Sequence, residues 1–275
     1  MPQREPSPGE SRVVRWIYYG KKHQDMSSVA EILLSVSEQL NAHGIHLSIE
    51  KCDIPRLKAI HGAGESANEM LVLVDLPEQH RSLFADFQKS VLRFTLPFPQ
   101  IPSPYVSIDV LPAIRHAIHG LVRRGFQNIT LVLKEGSKKS VAEAFHRFCA
   151  EAPHPLQARV VKLPMKYPEQ AFAARRLAAG MKGRHGVVAL YSISASILMT
   201  AFMKAGLDVP RQVEVVAVNT SMQAVRVFPV PTYYPYPMDA LASVLCKAAI
   251  QYFDRGELPP LRKMIPLEVV TPLSS

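Results

Sequence analysis

Along most of the chain, short apolar runs rich in β-branched and aromatic residues alternate with longer stretches in which apolar residues return every three or four positions. VVRWIYY at 13–19, IHLSIE at 45–50 and MLVLVD at 70–75 are runs of the first kind and read as strands. The stretch near 27–42 has the helical period and reads as an amphipathic helix. Regular alternation of the two predicts a parallel sheet flanked by helices.

One unit recurs. In QLNAHGIHLSI, LVRRGFQNITLVL and FMKAGLDVPRQVEVVAV an apolar-faced helix reaches a glycine (Gly44, Gly125, Gly206), and an apolar strand follows within a few residues. Glycine adopts the left-handed conformation that closes a helix without a Cβ clash, so each unit is a helix returning to the sheet. The helix over 110–124 shows its buried face through Leu111, Ile114, Ile118 and Leu121. The last helix, beyond Pro237, does so through Leu241, Val244, Leu245, Ala248 and Tyr252.

Two proline-rich passages interrupt the alternation, LPFPQIPSPYVSID at 96–109 and VFPVPTYYPYP at 227–237. Prolines so dense forbid helix and resist strand pairing, which makes both passages crossovers between two α/β lobes. Residues 13–107 with 236–255 are expected to form an N-terminal lobe, and 108–235 with 256–275 a C-terminal lobe. Residues 1–12, rich in Pro, Ser, Glu and Arg, read as a linker or tail. Open parallel sheets take ligands beyond the carboxyl ends of their strands, so a small molecule is expected in a cleft between the lobes.

Composition narrows the class. Of 275 residues 48% are hydrophobic and 20% charged, which excludes disorder, collagen-like repeats and coiled coil for most of the chain. No apolar run is long enough to span a bilayer, and the start MPQREPSPGE has no apolar core of a secretion signal. Cys52, Cys149 and Cys246 are too dispersed for a metal-type C-x-x-C or a disulfide framework. A cytoplasmic protein without a membrane partner is expected. The net charge of +9 is spread through pairs such as Lys21-Lys22, Arg123-Arg124, Lys138-Lys139 and Arg175-Arg176, which reads as a solvated surface.

Catalytic and metal motifs are missing from the text. GAGES at 62–66 lacks the lysine and spacing of a phosphate loop, and neither G-x-S-x-G nor H-E-x-x-H occurs. His116 and His119 are three apart on one helix, but no third ligand is suggested beside them. Ser140 and Ser192 have no evident base and acid partners. No reaction, metal or cofactor is therefore expected.

Four segments carry a family resemblance. GLDVPRQVEVVAVNTS matches through Gly206, Val209, Pro210, Val213, Val215, Val216 and Asn219, and YVSIDVLPAIRHAIHGLVRRGFQNITLV through Val106, Asp109, Ala117, Leu121, Gly125 and Ile129. FPVPTYYPYPMDALASVL and the closing IPLEVVTPLSS follow in order. Together they resemble the effector domain of LacI/GalR-type transcription regulators. The resemblance implies a periplasmic binding protein type I fold, α/β with two Rossmann-like parallel-sheet lobes joined by hinge crossovers. It implies a ligand-sensing, homodimerising domain that binds a small metabolite, a sugar or sugar derivative, and meets DNA only through a header domain. No helix-turn-helix pattern precedes Val13. The alternative on the same fold is a periplasmic sugar-binding protein of a transport system; a solution dimer favours the regulator and a monomer the transport protein.

The site residues come from the same resemblance. Tyr19 and Asp25 follow the first strand, in a ligand loop or a plain surface turn; Asp109 begins the second lobe, as a ligand group or a helix cap. Tyr191, Ser192 and Asn219 end strands of the second lobe, facing the ligand or filling the sheet edge. Tyr167 in the loop before the helix at 169–180, and Tyr236 in the last crossover, offer aromatic faces. Three polar anchors of a typical sugar site are altered: Tyr191-Ser192 replaces Asn-Asp, Val141 replaces Arg, and Asn219 replaces Asp. Aromatic stacking is expected to compensate for the missing Arg.

Overall fold

A computed structural model describes residues 11–19, 27–74, 76, 82–84, 86–87, 90–94, 104–135, 137, 139–164, 166–190, 195–220 and 228–270. Asp25, Tyr191 and Ser192 lie outside the described residues, as does the side chain of Tyr167.

The chain begins with β1 (Arg12–Tyr19), α1 (Ser27–Asn41), β2 (Ile45–Cys52), α2 (Ile54–Gly62), β3 (Glu69–Val74), β4 (Val91–Phe94) and β5 (Tyr105–Asp109). It continues through α3 (Leu111–Arg123), β6 (Asn128–Lys134), α4 (Lys139–Ala150), β7 (Gln157–Leu163), α5 (Tyr167–Ala179), β8 (His185–Leu190), α6 (Ala195–Lys204), β9 (Val213–Thr220) and β10 (Thr232–Pro235). It closes with α7 (Met238–Arg255) and β11 (Arg262–Pro266). Two compact units result, Met1–Ile108 with Pro237–Ile265, and Asp109–Tyr236 with Pro266–Ser275.

The first unit holds a six-stranded sheet in the order β11-β5-β4-β3-β1-β2, with β1 to β5 paired in parallel. Its central strand β3 is buried at Met70 through Val74, as a strand covered on both faces must be. One face carries Ile17, Leu71, Leu73 and Val91 against Leu57 and Ile60 of α2 and against Phe84 and Phe87. α7 packs on α1, where the Cys246 thiol lies 3.7 Å from the Val36 carbonyl. Within α7, Leu241, Leu245, Ala248 and Tyr252 are buried as the period predicts; Val244 is half-buried.

The second unit repeats the plan. Its five strands run in the order β10-β9-β8-β6-β7, all parallel. Counted within each unit, both sheets place the first strand between the second and third, so each has a topological switch point beside its first strand. α5 and α6 pack together over Val132, Val187, Ala189, Val213, Val215 and Ala217. α3 buries Ile114, Ile118 and Leu121 but leaves Leu111 half-buried. Gly186 on β8 faces α3, and a Cβ there would fall 2.8 Å from Cδ1 of Leu121, so no larger residue fits without displacing that side chain.

The helix-ending glycines behave as read, with φ of +67° at Gly44, +82° at Gly125 and +78° at Gly206. The unit boundaries differ from the sequence reading at the carboxyl end. Residues 256–265 join the first unit because β11 lies beside β5, where the Tyr105 N–H donates to the Leu261 carbonyl at 2.8 Å. Only the segment from Pro266 goes with the second unit, where Val270 bridges Tyr233 in both directions at 2.8 and 3.0 Å. Tyr236 also belongs to the second unit, tied by its N–H to the Thr220 carbonyl.

Candidate functional site

Strand carboxyl ends are where an open parallel sheet exposes backbone and side chains to a ligand. In the second unit β9 and β10 run in register from Val216 with Thr232 to Val218 with Tyr234, after which Thr220 meets Pro235. Asn219 is therefore an extra residue in a β-bulge. Its φ of +55° is left-handed, a conformation Asn tolerates because its short polar side chain can bond locally.

Asn219 is 4% exposed, and among the described residues its Oδ1 finds no hydrogen-bond partner. A buried carbonyl left unpaired costs about 1–3 kcal/mol, and strain of this kind concentrates at ligand sites. Tyr236 stands beside it, half-buried, at the end of the neighbouring strand, and its N–H reaches the Thr220 carbonyl at 3.1 Å. These two nominated residues are brought together.

The others are dispersed. Asp109 is half-buried at the end of β5, and its carboxylate accepts the Leu111 N–H at 3.2 Å, so it serves the start of α3. Tyr19 ends β1, opposite Cys52, and its side chain packs on the core cluster of the first unit. Tyr167 is the first residue of α5 rather than part of a loop, because Pro168 fits the first turn, where its missing N–H breaks no helical bond. Val141, at the position of the family's arginine, is buried in α4 and packs there.

Two chemical features escaped the sequence reading. Arg93 is 4% exposed on β4, between Leu73 and Tyr105 in neighbouring strands; the signal was a lone cation inside the apolar run VLRF. Tyr234 places its hydroxyl 2.6 Å from Nδ1 of His116, so this histidine serves a tertiary hydrogen bond. Burial pushes the Tyr234 phenol up to about 12, which keeps it neutral and able to donate. No sequence spacing links residues so far apart.

Among the described residues no group of three His, Cys, Asp or Glu side chains is placed to hold a metal ion, and no helix is long and apolar enough to cross a membrane. The family model described as periplasmic binding protein-like domain matches residues 118–275. The chain superposes on a LacI family transcriptional regulator from Arthrobacter sp. FB24 in complex with lactose at TM-score 0.77 and 11% identity, covering 94% of this chain and 98% of that one. The lac repressor dimer bound to operator and the anti-inducer ONPF gives TM-score 0.77 at 13% identity, with 96% and 94% covered. A periplasmic binding protein/LacI transcriptional regulator from Alkaliphilus metalliredigens QYMF complexed with D-xylulofuranose gives 0.72 at 14%, with 95% and 98% covered. At such identities the likeness is one of fold. No curated protein matches the chain.

Proposed function

Because the chain belongs to the periplasmic binding protein-like domain family, we propose that it is the ligand-sensing and dimerising domain of a LacI/GalR-like transcription regulator, with a sugar or sugar derivative as effector and no reaction of its own. The observation that carries this reading is Asn219, whose bulged backbone and unpaired buried carbonyl stand at a strand end and ask for a hydroxyl donor. Tyr236 at the neighbouring strand end, with Tyr167 and Tyr191, supplies aromatic faces for the apolar face of a sugar ring. Asp25 and Ser192 are further polar candidates for effector contact, with Tyr19 and Asp109 as candidates whose side chains also pack on the core and start α3.

The effector acts by binding one conformation of the chain better than another, which shifts the balance between them. DNA contact comes through a separate header domain, and the chain works in the cytoplasm, in keeping with three free, buried cysteines. Relatives of this fold carry lactose and D-xylulofuranose, which supports a carbohydrate as the first class to test.

The test is a thermal-shift screen against pentoses, hexoses, uronates and nucleosides. A ligand at about 100 times its dissociation constant stabilises the native state by about 2.7 kcal/mol, a rise of several degrees in Tm. A well-folded chain that responds to none of the carbohydrates overturns the sugar assignment.

A further inference from the structure

The amino edge of the second sheet, opposite the strand ends assigned to the effector, gathers positive charge. Asn128, His185 and Val213 open β6, β8 and β9 in register, side by side. The turns leading into them, 124–127, 180–184 and 205–212, therefore meet at one edge of the sheet. These turns and the helix ends before them hold Arg123, Arg124, Lys182, Arg184, Lys204 and Arg211, all exposed. The six are far apart in the sequence, and strand pairing alone brings them together.

Hydrogen bonds fix the turns to one another. Arg184, in the middle turn, donates from Nε to the Arg211 carbonyl at 3.2 Å, and its own carbonyl accepts from Asn128 Nδ2 at 3.0 Å. Its guanidinium lies 4.4 Å from the centroid of the buried Phe126 ring, a cation–π contact. Gly125 leaves room for it, since a Cβ there would fall 3.2 Å from Arg184 Nη1. The His185 N–H donates to the Gln212 carbonyl at 2.8 Å, which ties the middle turn to the third. Arg184 has thus lost much of its side-chain freedom before any partner arrives, and binding costs correspondingly less.

The charge is in excess. Two carboxylates share the edge, Asp208 and Glu214, and Glu214 pairs with Arg124 at 2.8 Å. Among the described residues the other five cations make no ion pair. The carboxyl ends of α3, α5 and α6 add about half a negative charge each, which still leaves the surface positive.

We infer that this edge docks an acidic polypeptide segment, a run of Asp and Glu on a partner protein. Four of the six cations are arginines, whose planar forks pair carboxylates bidentately. Neighbouring strands are about 4.8 Å apart, so β6 to β9 spans about 10 Å, the reach of about three extended residues. Carboxylates along such a run meet successive turns. Nucleic acid fits less well. Phe126 is covered by Arg184, so the described turns expose no aromatic ring for a base to stack on, and three helix carboxyl ends oppose a dense row of phosphates.

Fluorescence anisotropy of a labelled hexaglutamate peptide, titrated with the full chain at about 50 mM salt, tests the docking edge. Saturable binding is expected. Arg211→Glu and Lys182→Glu, whose side chains make no hydrogen bond or ion pair among the described residues, are each expected to weaken it by about tenfold. Arg184→Glu is expected to weaken it at least as much. Lys58→Glu, the same charge change on the exposed side of α2 in the first unit, is expected to leave the dissociation constant within about twofold. Melting curves show which variants are folded; should Arg184→Glu unfold, the other two carry the test. Absence of binding, an equal loss with Lys58→Glu, or indifference to both Arg211→Glu and Lys182→Glu overturns the docking edge. A labelled DNA duplex bound more tightly than hexaglutamate, and released by the same variants, overturns the polypeptide and gives the edge to nucleic acid.

Discussion

The N–H of Tyr236 donates to the carbonyl of Thr220 at 3.1 Å, which joins the end of β10 to β9 immediately past the bulge at Asn219. The ladder resumes beyond Asn219, so its left-handed backbone is held in place from the neighbouring strand while its carboxamide oxygen finds no partner among the described residues. Backbone and side chain can therefore be separated by substitution. Asn219→Gly keeps a residue at ease at positive φ and removes only the carboxamide; Asn219→Ala removes the carboxamide and adds about 1–2 kcal/mol of left-handed strain. Both variants are expected to lose the ligand-induced rise in Tm, with only the Ala variant clearly destabilised in urea. A Gly variant that responds to ligand like wild type takes Asn219 out of the site.

His116 of α3 and Tyr234 of β10 are hydrogen-bonded at 2.6 Å, with Tyr234 2% exposed. His116→Ala leaves a buried hydroxyl without its partner and is expected to cost about 1–3 kcal/mol. Adding Tyr234→Phe to that variant removes the orphaned group, so the double variant is expected to be less destabilised than the two single effects summed. A double-mutant cycle by urea unfolding gives the coupling directly, and strict additivity would dissolve the pair.

Gly186 is required by packing rather than by its backbone, since a Cβ there meets both Leu121 and Ile129 within 3.0 Å. Gly186→Ala is expected to destabilise by about 1–3 kcal/mol through overpacking. Shortening the opposing side chain in Leu121→Ala/Gly186→Ala is expected to recover part of that loss, read as a shift of the unfolding midpoint.

Burial pushes the thiols of Cys52, Cys149 and Cys246 up to about 11 and the phenols of Tyr234 and Tyr252 up to about 12. Each group is neutral when protonated, and the unfolded chain releases its proton at a lower pH than the folded chain. The stability they contribute is therefore complete below the ordinary thiol range and is lost as pH rises through about 9 to 12. Denaturant midpoints taken across that interval should fall, with thiolate absorbance appearing together with unfolding. Thiolate formation in a chain still fully folded at pH 10 would contradict this coupling.

Much of the architecture was legible in the residues because it is local. A run such as MLVLV needs a position covered on both faces, and Ile114, Ile118 and Leu121 need one covered side. Gly44, Gly125 and Gly206 end helices through their own backbone freedom. β11 was not legible, since RKMIP has two cations and no clean alternation, and its place beside β5 depends on a bond between Tyr105 and Leu261. Asn219 was singled out by resemblance; its bulge was not, because a bulge exists only in the register of two strands. The start of α5 at Tyr167 was missed by two residues, since Pro168 reads equally as a loop residue and as a first-turn residue.

By itself, then, the order of residues determined which segments become strands and helices, which side of each is buried, and that the chain leaves its first unit and returns, because those properties follow from periodicity and from single-residue conformational limits. Tertiary structure alone decided which strands are neighbours, where β9 gains its extra residue, that Arg93 enters a sheet interior and that His116 meets Tyr234. Those outcomes depend on pairings across long stretches of chain, and pairing register is a property of two segments together that neither carries alone.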